Sequence, residues 1–369
     1  MIIGVPKELK PQEARVSLTP EGGRELVEAG HEVLIEASAG EASAVADEDF
    51  MAAGAKIRPT ADDVFGEADL IVKVKEPQPE EFQRLRPKQI LFTYLHLAAN
   101  EPLTRFLLER EVTAIAYETV RDADGRLPLL APMSEIAGRI APHVSATYLE
   151  RPRGGRGVLM GGASGVSPAT VVVLGAGTAG TAAASIAAGM EADVVIVDSE
   201  LERLRAVDRL WRGRIGTVMS SRMTVERLVL DADVVIGAVL VPGARAPKLV
   251  TGEMVRQMRQ GSVLVDISID QGGCIETAKV TTHDDPVYLL HDVVHYCVGN
   301  MPGAVPRTAT YALTNATLPY LMVLAARGLT NALAEVPGFA SGLNVHRSQV
   351  TNQPVAEALG LSYSPIASE

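Results

Sequence analysis

The run Gly175-Ala-Gly177-Thr-Ala-Gly180 sets three glycines where an apolar stretch, Val171 to Leu174, gives way to an alanine-rich segment. Residues of this type in this order suit phosphate binding. Gly175 permits a tight turn, Gly177 lets a phosphate approach the backbone, and Gly180 lets the following helix pack close to the strand. The helix N-terminus then offers free amides and a positive dipole to a pyrophosphate. Three spaced glycines alone are a weak signal, but here the context is complete. The next apolar run, Val194 to Val197, ends in Asp198, 23 positions beyond Gly175. A carboxylate there accepts hydrogen bonds from both hydroxyls of an adenosine ribose and repels a 2′-phosphate, which predicts NAD rather than NADP.

Further chemistry-bearing residues lie on both sides of this motif. Lys73-Val-Lys75-Glu-Pro closes a predicted strand, Leu70 to Val74, and substrate groups collect at strand ends in open α/β sheets. Lys75 suits a substrate carboxylate, and a solvated surface lysine reads equally well. Arg15 precedes the apolar Val16 and Leu18 and offers a bidentate clamp, with a surface arginine as the competing reading. His96, in Phe92-Thr-Tyr-Leu-His96, stands at the end of a buried strand as either an acid/base or a buried structural histidine. Asp270, in Asp266-Ile-Ser-Ile-Asp270-Gln-Gly-Gly, follows the last predicted strand of the cofactor region and is placed to face the nicotinamide. Tyr296 to Arg307 brackets Asn300 with two glycines and two prolines, as a specialised loop or a plain crossover.

These residues need two α/β domains to position them. The chain has 369 residues, more than one core usually organises. From the N-terminus, short β-rich runs (Ile2 to Val5, Glu32 to Ile35, Leu70 to Val74, Gln89 to Tyr94, Thr113 to Tyr117) alternate with helical patterns, the first opened by Thr19-Pro20 and closed by Gly30. A helix from Pro132 to about Glu150 and a Gly/Arg-rich link lead to a second alternation, Val171 to Leu174, Val194 to Val197, Val234 to Ile236 and Val263 to Val265. A long helix then starts after Arg307, with a kink expected at Pro319. The expected fold is therefore α/β, two Rossmann-like domains with an active-site cleft between them. The first domain is discontinuous, 1–128 plus 307–369, and 129–306 binds NAD.

The formal charge of −11 disfavours nucleic acid and anionic membranes as partners. Cys274 and Cys297 do not make a disulfide framework, which suits a reducing compartment, and the N-terminus reads as a strand rather than a secretory signal. Two uncharged stretches, 167–190 and 308–326, are long enough to span a bilayer, but one is broken by the glycine turn and the other by polar residues and Pro319. A cytoplasmic location is expected.

Taken together, Gly4-Val-Pro-Lys-Glu, Lys73-Val-Lys-Glu-Pro, Tyr94-Leu-His-Leu, Ala131-Pro-Met-Ser-Glu, the glycine loop, Asp270-Gln-Gly-Gly-Cys, Thr281-Thr-His and Asn300-Met-Pro-Gly-Ala-Val-Pro resemble the L-alanine dehydrogenase family over nearly the whole chain. The resemblance implies reversible oxidative deamination of L-alanine to pyruvate and ammonium with NAD. It implies that Arg15, Lys75 and Asn300 bind substrate, that His96 is the acid/base, and that Asp270 assists at the carbinolamine and imine stages. By the same resemblance, NAD contacts fall on Ser134, Gly175, Gly177, Thr178, Ala179, Gly180, Asp198, Arg203, Ser220, Val239, Leu240, Ile267, Asp270, Lys279, Val298, Asn300 and Met301. A homohexamer is implied too.

Departures are small: Ala176, Thr178, Ala179 and Gly299 differ from the residues usual in that family. Val323 and Arg327 stand where some members carry metal ligands, so no metal site is expected. Competing readings are the NAD-binding component of a proton-translocating transhydrogenase, a lysine-forming saccharopine dehydrogenase and a silent NAD-binding scaffold. The first leaves His96 and Asp270-Gln-Gly-Gly unexplained, the second needs a further cationic subsite, and the third gives no reason for Arg15, Lys75, His96 and Asp270 to occur together.

Overall fold

The computed structural model describes residues 1–240 and 246–366, so the last three residues of the expected 307–369 segment lie outside the described residues. The chain divides into two compact units, Met1–Pro132 with Val305–Glu369, and Met133–Ala304. The first unit opens with β1 (Ile2–Val5), β2 (Glu32–Glu36), β3 (Lys56–Arg58), β4 (Leu70–Val72), β5 (Ile90–Thr93) and β6 (Thr113–Ala116). The second holds β7 (Thr170–Leu174), β8 (Asp193–Asp198), β9 (Gly216–Met219), β10 (Val234–Gly237), β11 (Val263–Asp266), β12 (Val287–Leu290) and β13 (Val293–Tyr296). The chain then returns to the first unit for β14 (Leu343–His346) and β15 (Gln349–Val350).

In the first unit β3-β2-β1-β4-β5-β6 form a parallel sheet, and β14 and β15 extend it antiparallel beyond β6. Strands β4 and β6 are buried throughout, as expected of parallel strands covered on both faces. The order reverses between β1 and β4, and at such a switch point the loops leaving the two strands diverge and open a crevice at their carboxyl ends. The predicted strand Leu70 to Val74 stops two residues early because the Val74 N–H donates to the Glu8 carboxylate instead of a neighbouring strand. The first helix, Pro20–Glu28, has Thr19 as N-cap and is followed by Gly30 at φ 87°, the left-handed conformation that favours glycine.

The long helix Pro306–Glu335 corrects one expectation. Its backbone keeps helical φ and ψ through Pro319, between buried Thr317 and Leu321. Its backbone leaves the helical region at Gly328 instead, with φ 74° and ψ 171°. Glycine takes that conformation without a Cβ clash, whereas a proline's lost hydrogen bond is tolerable when packing holds both sides.

The second unit repeats the plan. Strands β9-β8-β7-β10-β11-β13 are parallel, and β12 is antiparallel to β13. Its switch point lies between β7 and β10. One face is lined by Ala183, Ala184, Ala187 and Ala188 of the helix Thr178–Gly189, whose small side chains allow close approach to the sheet. The helix Ala131–Leu149 packs backbone to backbone on the start of that helix: a Cβ on Gly138 would lie 2.1 Å from the Ala179 carbonyl oxygen. Among the described residues, no helix is long and apolar enough to cross a membrane.

Gly138→Ala should therefore force the two helices apart and lower stability by about 1–3 kcal/mol, the usual range for overpacking. A urea melt checks this, and an unchanged midpoint would show that this contact does not constrain the packing.

Candidate active site

Arg15 and Lys75 lie on the loops that leave β1 and β4, the two strands flanking the first unit's switch point. Neither is the solvated surface residue that spacing alone left open. Arg15 is 2% exposed and Lys75 9%. Arg15 is held by Glu13, which accepts from its Nε at 2.6 Å, from Nη2 at 2.5 Å and from its backbone N–H at 3.1 Å. Burial disfavours the Glu13 carboxylate, but the hydrogen bonds and charge of Arg15 outweigh it and hold its pKa below the usual range, with Lys75 adding to the effect. A pocket of about 260 Å³ opens beside Arg15, lined also by Lys7, Glu8, Glu13, Ser38 and Glu41. The pocket lining includes neither Lys75 nor His96.

The same loops carry an ion cluster whose side chains are buried. Lys73 Nζ lies 3.2 Å from a Glu8 oxygen and 2.8 Å from Glu81 Oε1. Burial works against its charge, yet the two carboxylates raise its pKa, so Lys73 stays protonated. Burial pushes Glu8 up against the pull of Lys73. Glu8 also accepts from Val74 N at 2.6 Å, tying the β1 exit to the β4 exit.

His96 leaves β5, the next strand of the same sheet. It is exposed, which removes the buried structural alternative, and its backbone is left-handed at φ 50°, ψ 38°. Its ring lies nearly parallel to that of Tyr94, with centroids 6.1 Å apart. Tyr94 is itself fixed by donating to the Leu129 carbonyl at 2.5 Å.

In the second unit the glycine loop leaves β7 as expected. Gly175 has φ 105°, and a Cβ there would lie 2.5 Å from the Ala238 carbonyl oxygen. A Cβ on Gly180 would lie 1.7 Å from the Gly175 oxygen, so the helix meets the turn in direct contact. Gly177 has open space beside it and caps the helix Thr178–Gly189 without any side chain bonding its amides. A pyrophosphate fits this cradle. Asp198 ends β8 and is nearly buried; its oxygens accept from Ala176 N at 2.6 Å and Glu200 N at 2.8 Å. Arg203, paired with Glu200 at 2.9 Å, lies 3.7 Å from it. Ser220 follows β9 and donates its N–H to the Asp198 carbonyl. Ser134 is one helical turn from Gly138, which brings it towards the same loop. Val239 and Leu240 follow β10, the other strand of the switch point.

The remaining expected residues gather on the loops after β11 and β13. Asp266 accepts from Ser268, Cys274 and Ile275 N–H groups, yet burial dominates and pushes its carboxyl up to about 6. It thereby folds the loop that presents Ile267 and exposed Asp270. Asp270 accepts from Asn300 N at 3.1 Å, and His283 Nε2 lies 3.2 Å from the Asn300 carbonyl. Asn300 adopts φ 58° between them. Buried Met301 and Val298 continue that loop, and Lys279 N donates to Tyr288 Oη at 2.8 Å. Each unit thus carries its own residues on loops that leave the carboxyl ends of its strands.

Sequence reasoning missed Glu8, Glu13, Glu81 and Asp266. Their signal was an acidic residue within seven positions of an expected site residue, too common to single out.

Family models match both parts of the chain: "Alanine dehydrogenase/PNT, N-terminal domain" over residues 4–137 and "Alanine dehydrogenase/PNT, C-terminal domain" over residues 141–353. An alanine dehydrogenase of Mycolicibacterium smegmatis is 55% identical over 367 residues, covering 100% of this chain and 99% of that one. One from Methanococcus maripaludis is 52% identical, covering 99% and 98%. A solved L-alanine dehydrogenase superposes with a TM-score of 0.94 at 50% identity, over 98% of this chain and 99% of that one. A transhydrogenase from Sinorhizobium meliloti superposes at 0.81 with 26% identity, over 96% and 99%. With both halves matched and identity above half along its full length, the chain belongs to the alanine dehydrogenase/PNT family.

Proposed function

We propose that this chain catalyses the reversible oxidative deamination of L-alanine to pyruvate and ammonium with NAD. The observation that carries the reading is the placement of two buried cations and an imidazole on the exits of three neighbouring strands, Arg15 after β1, Lys75 after β4 and His96 after β5. Two cations suit the α-carboxylate of a small amino acid, and an imidazole suits proton transfer near neutral pH.

NAD, when bound, supplies the hydride acceptor. The residues that would hold it are those of the second unit, with the Gly177 amides on the pyrophosphate and Asp198 on the ribose. Arg15 and Lys75 fix the carboxylate and so restrict the orientation of Cα. His96 takes a proton from the hydroxyl as the carbinolamine collapses and returns it in the reverse direction. Asp270 and Asn300 support the substrate end of the reaction. Family resemblance supports a homohexamer in the cytoplasm as the working form.

The direct test follows NADH oxidation with pyruvate and ammonium, with a control lacking ammonium. Ammonium-dependent turnover is expected; NADH binding without turnover would favour a transhydrogenase-type NAD-binding role, the reading that the similarity to the Sinorhizobium protein supports. In the same assay His96→Ala should lower kcat by roughly 10²–10⁴-fold, the range for loss of a general acid/base, while NADH binding stays unchanged. Full turnover by that variant would remove His96 from the chemistry.

Asp198→Ala should weaken NADH about tenfold or more, as loss of hydrogen bonds to a charged acceptor implies, and narrow the preference over NADPH. Fluorescence titration with both nucleotides measures it, and an unaltered preference would refute the ribose assignment.

A further inference from the structure

We infer that Glu118 is a positioning residue for His96, holding the histidine backbone in the strained conformation from which its ring is presented. Glu118 lies in the turn Tyr117–Thr119 that leaves β6, the strand paired with β5. Its Oε1 accepts from the His96 N–H at 2.7 Å and from the Leu95 N–H at 3.3 Å, and Oε2 also accepts from Leu95 at 3.3 Å. Two successive amides thus converge on one carboxylate.

This arrangement answers a physical need. A non-glycine residue at φ 50° is disfavoured, because Cβ crowds its own backbone, and it persists only where the surroundings over-determine it. His96 opens a single short turn, Leu97–Ala99, too short to impose that conformation. The carboxylate accepts charge-assisted hydrogen bonds from the His96 and Leu95 amides, and these are stronger than neutral ones. With the backbone pinned, the His96 ring lies nearly parallel to Tyr94, which is anchored through Leu129 and meets Tyr117 edge-on at 5.0 Å. Glu118 fixes where the side chain departs, and Tyr94 fixes how the ring lies. Without Glu118, His96 relaxes to negative φ and its ring swings off Tyr94, while Arg15 keeps its bonds to Glu13.

The inference rests on the reading of His96 as the acid/base, and the test separates the two. Glu118→Ala, Glu118→Gln and His96→Ala are compared by kcat and KM for pyruvate at saturating ammonium and NADH, by NADH Kd and by melting temperature. Glu118→Ala is expected to lower kcat about 100-fold, the effect of displacing a reacting group by roughly 1 Å, with pyruvate KM and NADH Kd within about threefold. Glu118→Gln should recover to within about tenfold of the parent, because one amide oxygen can still take the short bond from His96. Turnover within twofold of the parent for Glu118→Ala would overturn the inference. So would a Gln variant as impaired as the Ala variant, or loss of NADH binding and fold in both, which would mark the role as structural. An active His96→Ala would instead overturn the acid/base reading and this inference with it.

Discussion

Lys73 holds a positive charge out of reach of solvent, and the working end of the first unit is built round that charge. An ion stripped of water loses several kcal/mol of hydration even after relaxation, so it persists only where opposite charges are close and well placed. Glu8 and Glu81 meet that demand from two different segments, one after β1 and one in the short helix Pro79–Phe82. Because Glu8 also takes the Val74 amide, the loop to Arg15 and the loop to Lys75 are tied at a common point. Arg15 then brings its own counter-ion, Glu13, whose charge is felt by Lys75 as well. Arg15 stays charged although buried, because the hydrogen bonds and charge of Glu13 outweigh the cost of burial.

The second unit solves a related problem with backbone groups. A pyrophosphate spreads its charge over several oxygens, and a row of amides at a helix start meets it without burying any cation. The condition is that the backbone itself must come close, hence Gly180 against the Gly175 carbonyl and the open side of Gly177. Asp198 has two duties in this arrangement. It ends β8 where a ribose would lie, and by accepting from Ala176 N it also closes the turn that shapes the cradle.

What could be read from the amino-acid sequence divides along physical lines. Apolar periodicity and a glycine turn are local, so both alternations of strand and helix, the helix start at Thr19 and the loop at Gly175 were legible. Burial of a charge depends on which distant segments pack over it, so spacing could not distinguish a buried Lys75 or Arg15 from surface residues. Lys73 stands two residues from Lys75, and nothing local marks it as the one paired with carboxylates at positions 8 and 81. Pro319 was the residue expected to kink the long helix, and nothing local singled out Gly328, where the backbone leaves the helical region. Glu118 was hidden for the same reason: its task is to bond an amide 22 residues away.

The six parallel strands of the two units share one order, so topology alone cannot explain why their switch points differ. The loop after the first strand of each sheet does. In the second unit β7 ends at Leu174 and the helix begins at Thr178, so the amides of its first turn lie at the switch point with no side chain capping them. In the first unit β1 ends at Val5 and its helix begins at Pro20, where Thr19 already accepts from the Gly22 amide and proline supplies no N–H. That helix start is closed to a phosphate, and the long loop before it delivers Glu8, Glu13 and Arg15 instead. The same crevice is therefore lined by uncapped amides where the loop is short and glycine-rich, and by paired charged side chains where it is long.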